Sequence, residues 1–420
     1  MIAIPPELIN EILRFSWQDR RTLARCSMVS RRWCQLSSPY LFYTLQLRDA
    51  PPSYPEEPLD ALHRFLQDHP RITALVRELK LCPVDGILEV QISVDHIHAL
   101  LSLLPALHTL IVGSVRLVER PDKLVEDGHT RRDEPSPLRL RHVSLSSAFC
   151  FGVHPTFLSR FFSLFSQIDE LRLQGGVVPR VLDTFRYLLP RLYEPHAEPR
   201  SARPVVRALA LGRLDASQKL LPALPVSVRT DSLETLRITH FPGILVAMID
   251  TLLCQTPNLR ELELFFYRFA SSNLAYALAQ SEQYHLPSLA HCPQLEVLKF
   301  GTEIHLDYDL SDINNVYWRR CLEALSSACA QVHRVAVSIQ TWAVTGTNYF
   351  EPLAELDWGL LDQLLSRFPD LAAINLEISS RNVARWILSE DEMRERLGEQ
   401  LSLRNRSILH IAFSDTPSSH

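Results

Sequence analysis

Residues 233–264, LETLRITHFPGILVAMIDTLLCQTPNLRELEL, hold the pattern on which the fold turns. The stretch opens with Leu233, Leu236 and Ile238, spaced apolar-x-x-apolar-x-apolar, and closes with the same spacing at Leu259, Leu262 and Leu264. Alternation at the end of each pattern is strand periodicity, with one apolar and one polar face. Between them, Ile244 to Cys254 reads as a helix long enough to pack behind one strand. Pro257 stands two residues before the second pattern, where it stops the helix and biases the chain towards an extended path. Strand, helix, proline-set turn and strand thus follow one another.

The same spacing begins at Phe42, Val76, Leu107, Leu140, Ile168, Val206, Leu233, Leu259, Leu295, Val332, Leu371 and Ile408, at intervals of 26 to 39 residues. Each interval accommodates one strand plus one helix. Pro105, Pro204, Pro257, Pro293 and Pro369 all stand two positions before a start, where this proline content would place about one by chance. Helices are expected over Leu59 to Asp68, Val94 to Leu104, Thr156 to Phe165, Ile244 to Cys254, Ser271 to Gln283, Asn315 to Ala330, Leu353 to Phe368 and Arg381 to Leu401. Glu119 to Pro137 and Pro190 to Pro204 lose the apolar period and read as insertions between units. The pattern resembles that of leucine-rich repeats, without the asparagine that usually follows the strand. An α/β repeat is expected, an irregular leucine-rich-repeat solenoid with one strand plus one helix per unit.

The first fifty residues have another character. Pro5 and Pro6 suit a helix start, and Leu8, Ile9, Ile12 and Leu13 form an apolar stripe after them. Asp19 can cap a second helix carrying Leu23, Cys26, Val29 and Trp33, and Ser38-Pro39 reads as the start of a third. Three short helices bury too little surface to be comfortably stable alone, so part of their apolar surface needs another cover. Residues 4 to about 45 resemble the F-box, through Ile4-Pro5, Leu8, Ile12, Leu13, then Leu23, Cys26, Val29, Ser30, Arg32 and Trp33, and finally Leu41-Phe42. Ile4 replaces the usual leucine, Phe42 the usual tryptophan, and Gln18 to Arg20 stand where Asp-Pro is usual. The Pro-rich, loosely repeated style is similar to the fungal-type F-box family. The expected division is an F-box helical module at 1–50, a Pro-rich connector at 51–58, the repeat array at 59–414 and a frayed tail at 415–420.

Composition excludes several classes. The 420 residues carry a net charge of −5, with 46% hydrophobic and 22% charged residues, within the range of ordinary folded chains. Within residues 1–50, seven arginines face Glu7, Glu11, Asp19 and Asp49, so the module is basic in an acidic chain. The start lacks a basic segment followed by an apolar one, and Gly243 to Cys254 is too short to span a bilayer, so neither secretion nor a membrane partner is expected. The eight cysteines never form CxxC, which argues against a disulfide framework or a zinc cluster. No two glycines are separated by a single residue, and the phosphate-binding loop, HExxH and GxSxG are all absent. His96 and His98 point to different sides of a helix and make a poor metal pair. No catalytic residue, cofactor, metal or nucleic-acid partner is expected.

What remains is surface. The exposed strand positions Glu170, Arg172, Thr235, Arg237, Glu261, Glu263, Phe265 and Lys299 are expected to form a substrate-binding face. The F-box resemblance implies a non-catalytic substrate-recognition subunit of an SCF-type cullin–RING ubiquitin ligase, cytoplasmic or nuclear. It would bind the acidic adaptor, and through it cullin, with Ile4, Pro5, Leu8, Ile12, Leu13, Leu23, Val29 and Trp33, some at the interface and some in the module's own core. The alternative is a leucine-rich-repeat interaction scaffold outside any ligase, its N-terminal helices serving as a cap.

Overall fold

The structure, a computed structural model, describes residues 4–47, 58–82, 90–113, 115–117, 137–146, 155–174, 203–212, 224–239, 246–266, 288–305, 311–342, 351–381, 390–402, 405 and 407–414. Most of the expected insertions and of the connector, the helix at Ser271 to Gln283 and the tail lie outside them. The chain divides into two compact units, Met1–Pro204 and Val205–His420.

The first unit opens with helices α1 (Pro6–Phe15), α2 (Arg20–Ser27) and α3 (Arg31–Leu41). Pro6 occupies the first turn of α1, where its missing N–H costs nothing. Asp19 caps α2, accepting from the backbone N–H of Arg21 at 3.0 Å and of Thr22 at 3.1 Å. The third helix starts earlier than the sequence suggests, because Ser30 and not Ser38 is its cap, accepting from the Trp33 N–H at 3.3 Å. Pro39 therefore lies inside the last turn of α3, and the carbonyl it leaves without an N–H partner belongs to exposed Gln35. Ile9, Leu13 and Leu23 form the centre of the module, with Cys26, Trp33, Leu36, Tyr40 and Leu41 packed around them. The Tyr40 hydroxyl donates to Asn10 Oδ1 at 2.9 Å and ties α3 to α1.

The remaining strands of this unit are β1 (Thr44–Gln46), β2 (Glu78–Leu81), β3 (Val90–Ile92), β4 (Thr109–Val112), β5 (Val115–Leu117), β6 (Leu138–Ser146) and β7 (Phe165–Gln174). A parallel sheet runs β1-β2-β4-β6-β7, while β3 and β5 form a small parallel pair of their own that the repeat pattern does not foretell. Register brings equivalent repeat positions side by side: Leu45, Leu79, Leu110, Val143 and Leu171. Helices at Pro58–Asp68, Val94–Ser102 and Pro155–Ser163 fill the connections, close to their expected bounds.

The second unit repeats the plan with β8 (Val205–Gly212), β9 (Thr235–Thr239), β10 (Glu261–Phe266), β11 (Val297–His305), β12 (Arg334–Trp342), β13 (Ala373–Arg381) and β14 (Leu409–Ser414), parallel and in chain order. Leu209, Leu236, Leu262, Leu298, Val335, Ile374 and Leu409 stand in one row. The last strand departs from the expected phase by two residues, since Ile411 pairs with Leu376 instead of Ile374. A shift of two preserves which face is apolar, so the strand tolerates it.

Helices here span Val246–Cys254, Ser311–Ser326, Trp358–Leu365 and Glu390–Glu399, with a short turn at Glu351–Ala354. The single helix expected over Leu353 to Phe368 is broken because Asp357 caps a new start, accepting from the Leu360 N–H at 2.8 Å. Likewise Arg381, expected to open a helix, ends β13. Trp318 and Trp358, both buried, have ring centroids 5.0 Å apart. Their indole N–H groups donate to the Asp357 carbonyl at 3.3 Å and the Leu353 carbonyl at 2.7 Å. Trp358→Ala should cost about 3–5 kcal/mol, read from the urea-unfolding midpoint of the second unit.

Candidate functional site

Helix α1 carries two apolar stripes, and packing separates them. Ile9 and Leu13, four residues apart, turn inward, while Leu8, Ile12 and Phe15, at i, i+4 and i+7, turn outward. Leu8 is 57% and Phe15 83% exposed, and the turn between α2 and α3 adds Met28 at 78% and Val29 at 67%. Ile4 and Trp17 are exposed as well. So many exposed large apolar side chains on one small basic module leave surface that water covers poorly.

The expected adaptor-binding residues therefore fall into two groups. Ile4, Pro5, Leu8, Ile12 and Val29 are exposed and available to a partner. Leu13 and Leu23 are fully buried and Trp33 packs on the same core, so these three hold the module together and offer a partner little or nothing. Sequence reasoning passed over Phe15, Trp17 and Met28, although the spacing of Phe15 from Leu8 carried the signal.

The expected strand-face residues also divide. Glu170 and Arg172, in the first unit, form one cluster: the Arg172 Nε–H donates to Glu170 Oε1 at 2.8 Å, and His142 Nδ1 lies 3.3 Å from Oε2. Burial pulls the Glu170 carboxyl up, but Arg172 and His142 outweigh it and hold the group below its ordinary value. Burial pushes His142 down, and Arg172 adds to that, against the attraction of Glu170. The folded form thus resists the proton that the unfolded chain accepts near pH 6.5, so stability in this unit falls as pH drops below about 6.5. His142→Asn should remove that part of the slope when the urea midpoint is followed against pH.

In the second unit, register places Thr235 beside Glu261, and Glu263 between Arg237 and Lys299. Lys299 Nζ approaches Glu261 Oε1 at 2.7 Å, and Arg237 Nε approaches Glu263 Oε2 at 3.4 Å. Two residues depart from the expected exposed face. Phe265 is only 4% exposed because its ring lies over Gly301, where an added Cβ would stand 1.9 Å from a ring carbon. Glu263 is 8% exposed beneath the Arg237 side chain. Four of the six residues here, Thr235, Arg237, Glu261 and Lys299, remain accessible as a mixed-charge patch.

The thiols follow burial. Cys321 is fully enclosed and its thiol is pushed far up, and desolvation first, with Cys329 and Cys254 nearby, takes Cys292 to about 12. Cys34 and Cys254 are exposed. A thiol titration of the native chain should modify Cys34 and Cys254 first, and reach Cys292 and Cys321 only after unfolding.

Residues 1–48 match the F-box-like family model. The chain thus carries an F-box-like domain whose span covers all three helices, and the outward stripe of α1 belongs to it. No curated protein matches the chain. Among the described residues, no helix is long and apolar enough to cross a membrane.

Proposed function

We propose that the protein is a non-catalytic substrate-recognition subunit of an SCF-type cullin–RING ubiquitin ligase. The observation that carries the reading is the exposed apolar stripe of Leu8, Ile12 and Phe15 on an F-box-like domain. F-box domains generally dock the ligase adaptor, and through it cullin. Charge supports the assignment, because a basic module suits an acidic adaptor, chiefly in association rate and orientation.

The rest of the chain, in this reading, is an irregular leucine-rich-repeat array that holds a protein substrate near the ubiquitin carrier, so that the ligase acts by proximity. In-register parallel strands, with an α-helix described in most of the connections between them, support the repeat assignment. Thr235, Arg237, Glu261 and Lys299 are its accessible candidate contacts in the second unit, with Glu170 and Arg172 in the first. No residue of the chain is assigned a catalytic role, and the proposed setting is the cytosol or nucleus.

The decisive experiment is co-expression of the full chain with the adaptor subunit, followed by size exclusion. Co-elution supports the ligase reading. A folded chain that elutes without adaptor overturns it, in favour of an interaction scaffold capped by its N-terminal helices. Arg237→Glu should leave adaptor co-elution unchanged and weaken capture of substrates in proximity labelling, because it reverses charge beside Glu261 and Glu263.

A further inference from the structure

We propose that Asp250, Cys254 and His291 form a three-ligand site for a zinc-class transition-metal ion. Asp250 and Cys254 lie four residues apart on the helix Val246–Cys254, so their side chains leave the same helical face. His291 closes the 3-10 turn Leu289–His291, which packs against that helix. One ligand atom from each residue lies within 4.8 Å of the other two. Tetrahedral zinc with bonds of about 2.0–2.3 Å needs ligand atoms separated by roughly 3.3–3.8 Å. Small rotations of accessible side-chain ends close that difference.

Three further features suit a cation. Cys254 is the last residue of its helix, where the helix dipole places partial negative charge. The Asp250 carboxylate is already oriented, since its Oδ1 accepts from the Ser288 N–H at 3.1 Å, the kind of outer hydrogen bond that steadies a metal ligand. The donor set is one thiolate, one imidazole and one carboxylate, which favours zinc or cobalt over calcium or magnesium, whose ligands are oxygens. Binding displaces the Cys254 thiol proton to solvent. Three protein ligands leave one tetrahedral position for water or a side chain of a bound protein.

The test uses the reduced, chelator-stripped full chain titrated with cobalt(II) and then zinc(II). One cobalt per chain should bind, with a thiolate-to-metal charge-transfer band that zinc abolishes. Cys254→Ser should remove the band. Asp250→Asn, which keeps an acceptor for Ser288, and His291→Ala should each weaken binding about tenfold or more. Cys34→Ser, on the helical module, should change nothing. Circular dichroism of each variant confirms folding, which exposed or half-exposed positions should preserve. A folded wild-type chain that develops no thiolate band with excess cobalt overturns the site, as does a band that survives in Cys254→Ser.

Discussion

Leu8→Asp should abolish the proposed co-elution of the full chain with the ligase adaptor while leaving its thermal unfolding unchanged. Leu8 makes no contribution to the core formed by Ile9, Leu13 and Leu23, and more than half of its surface meets water. A carboxylate there costs the free chain little, because exposed substitutions usually move stability by no more than about 0.5 kcal/mol. Under a partner the same carboxylate loses its water without gaining a counter-charge, and a central apolar anchor is lost too. Such anchors carry about 2 kcal/mol or more, a factor of roughly thirty in affinity. Ile12→Asp should act in the same way. Retained adaptor binding in both variants would separate this stripe from any docking role and return the module to the status of a cap.

Leu13→Asp, on the opposite face of the same helix, should differ from Leu8→Asp in stability. Leu13 is fully buried among Ile9, Leu23 and Trp33, where an ionised carboxylate has no partner. The charge must be desolvated, or neutralised through a raised pKa, and the packing of the removed leucine is lost as well. The combined cost exceeds about 4 kcal/mol, more than a three-helix core of this size can offset. Hydrogen exchange should show protection lost across residues 6–41, with the strands of the second unit still protected. The proposed adaptor binding should disappear in this variant too, but through unfolding. The exchange map thus distinguishes a residue that makes the surface from one that supports it.

The two variants mark the limit of what could be read from residue order. Strand positions were legible because backbone alternation and the apolar-x-x-apolar-x-apolar spacing are local, and each of the twelve starts precedes or lies within an observed strand. Caps at Asp19 and stops before the strands were legible for the same reason: they depend on neighbours one to four residues away. Where local signals competed, the reading failed. Ser30 and Ser38 are both competent caps, and only the packing of Trp33, Leu36, Tyr40 and Leu41 onto one core selects the longer α3.

The sequence by itself determined the period of the array, the direction of its apolar face and the helical nature of the N-terminal module. All three follow from short-range sterics and hydrophobic periodicity. Tertiary structure alone decided which stripe of α1 is core and which is surface, since both have helical spacing. It alone placed Phe265 over Gly301, residues on different strands that become neighbours through register. It alone brought His291 to Asp250 and Cys254, because contacts between distant segments are settled by how elements pack and not by the order in which they are joined.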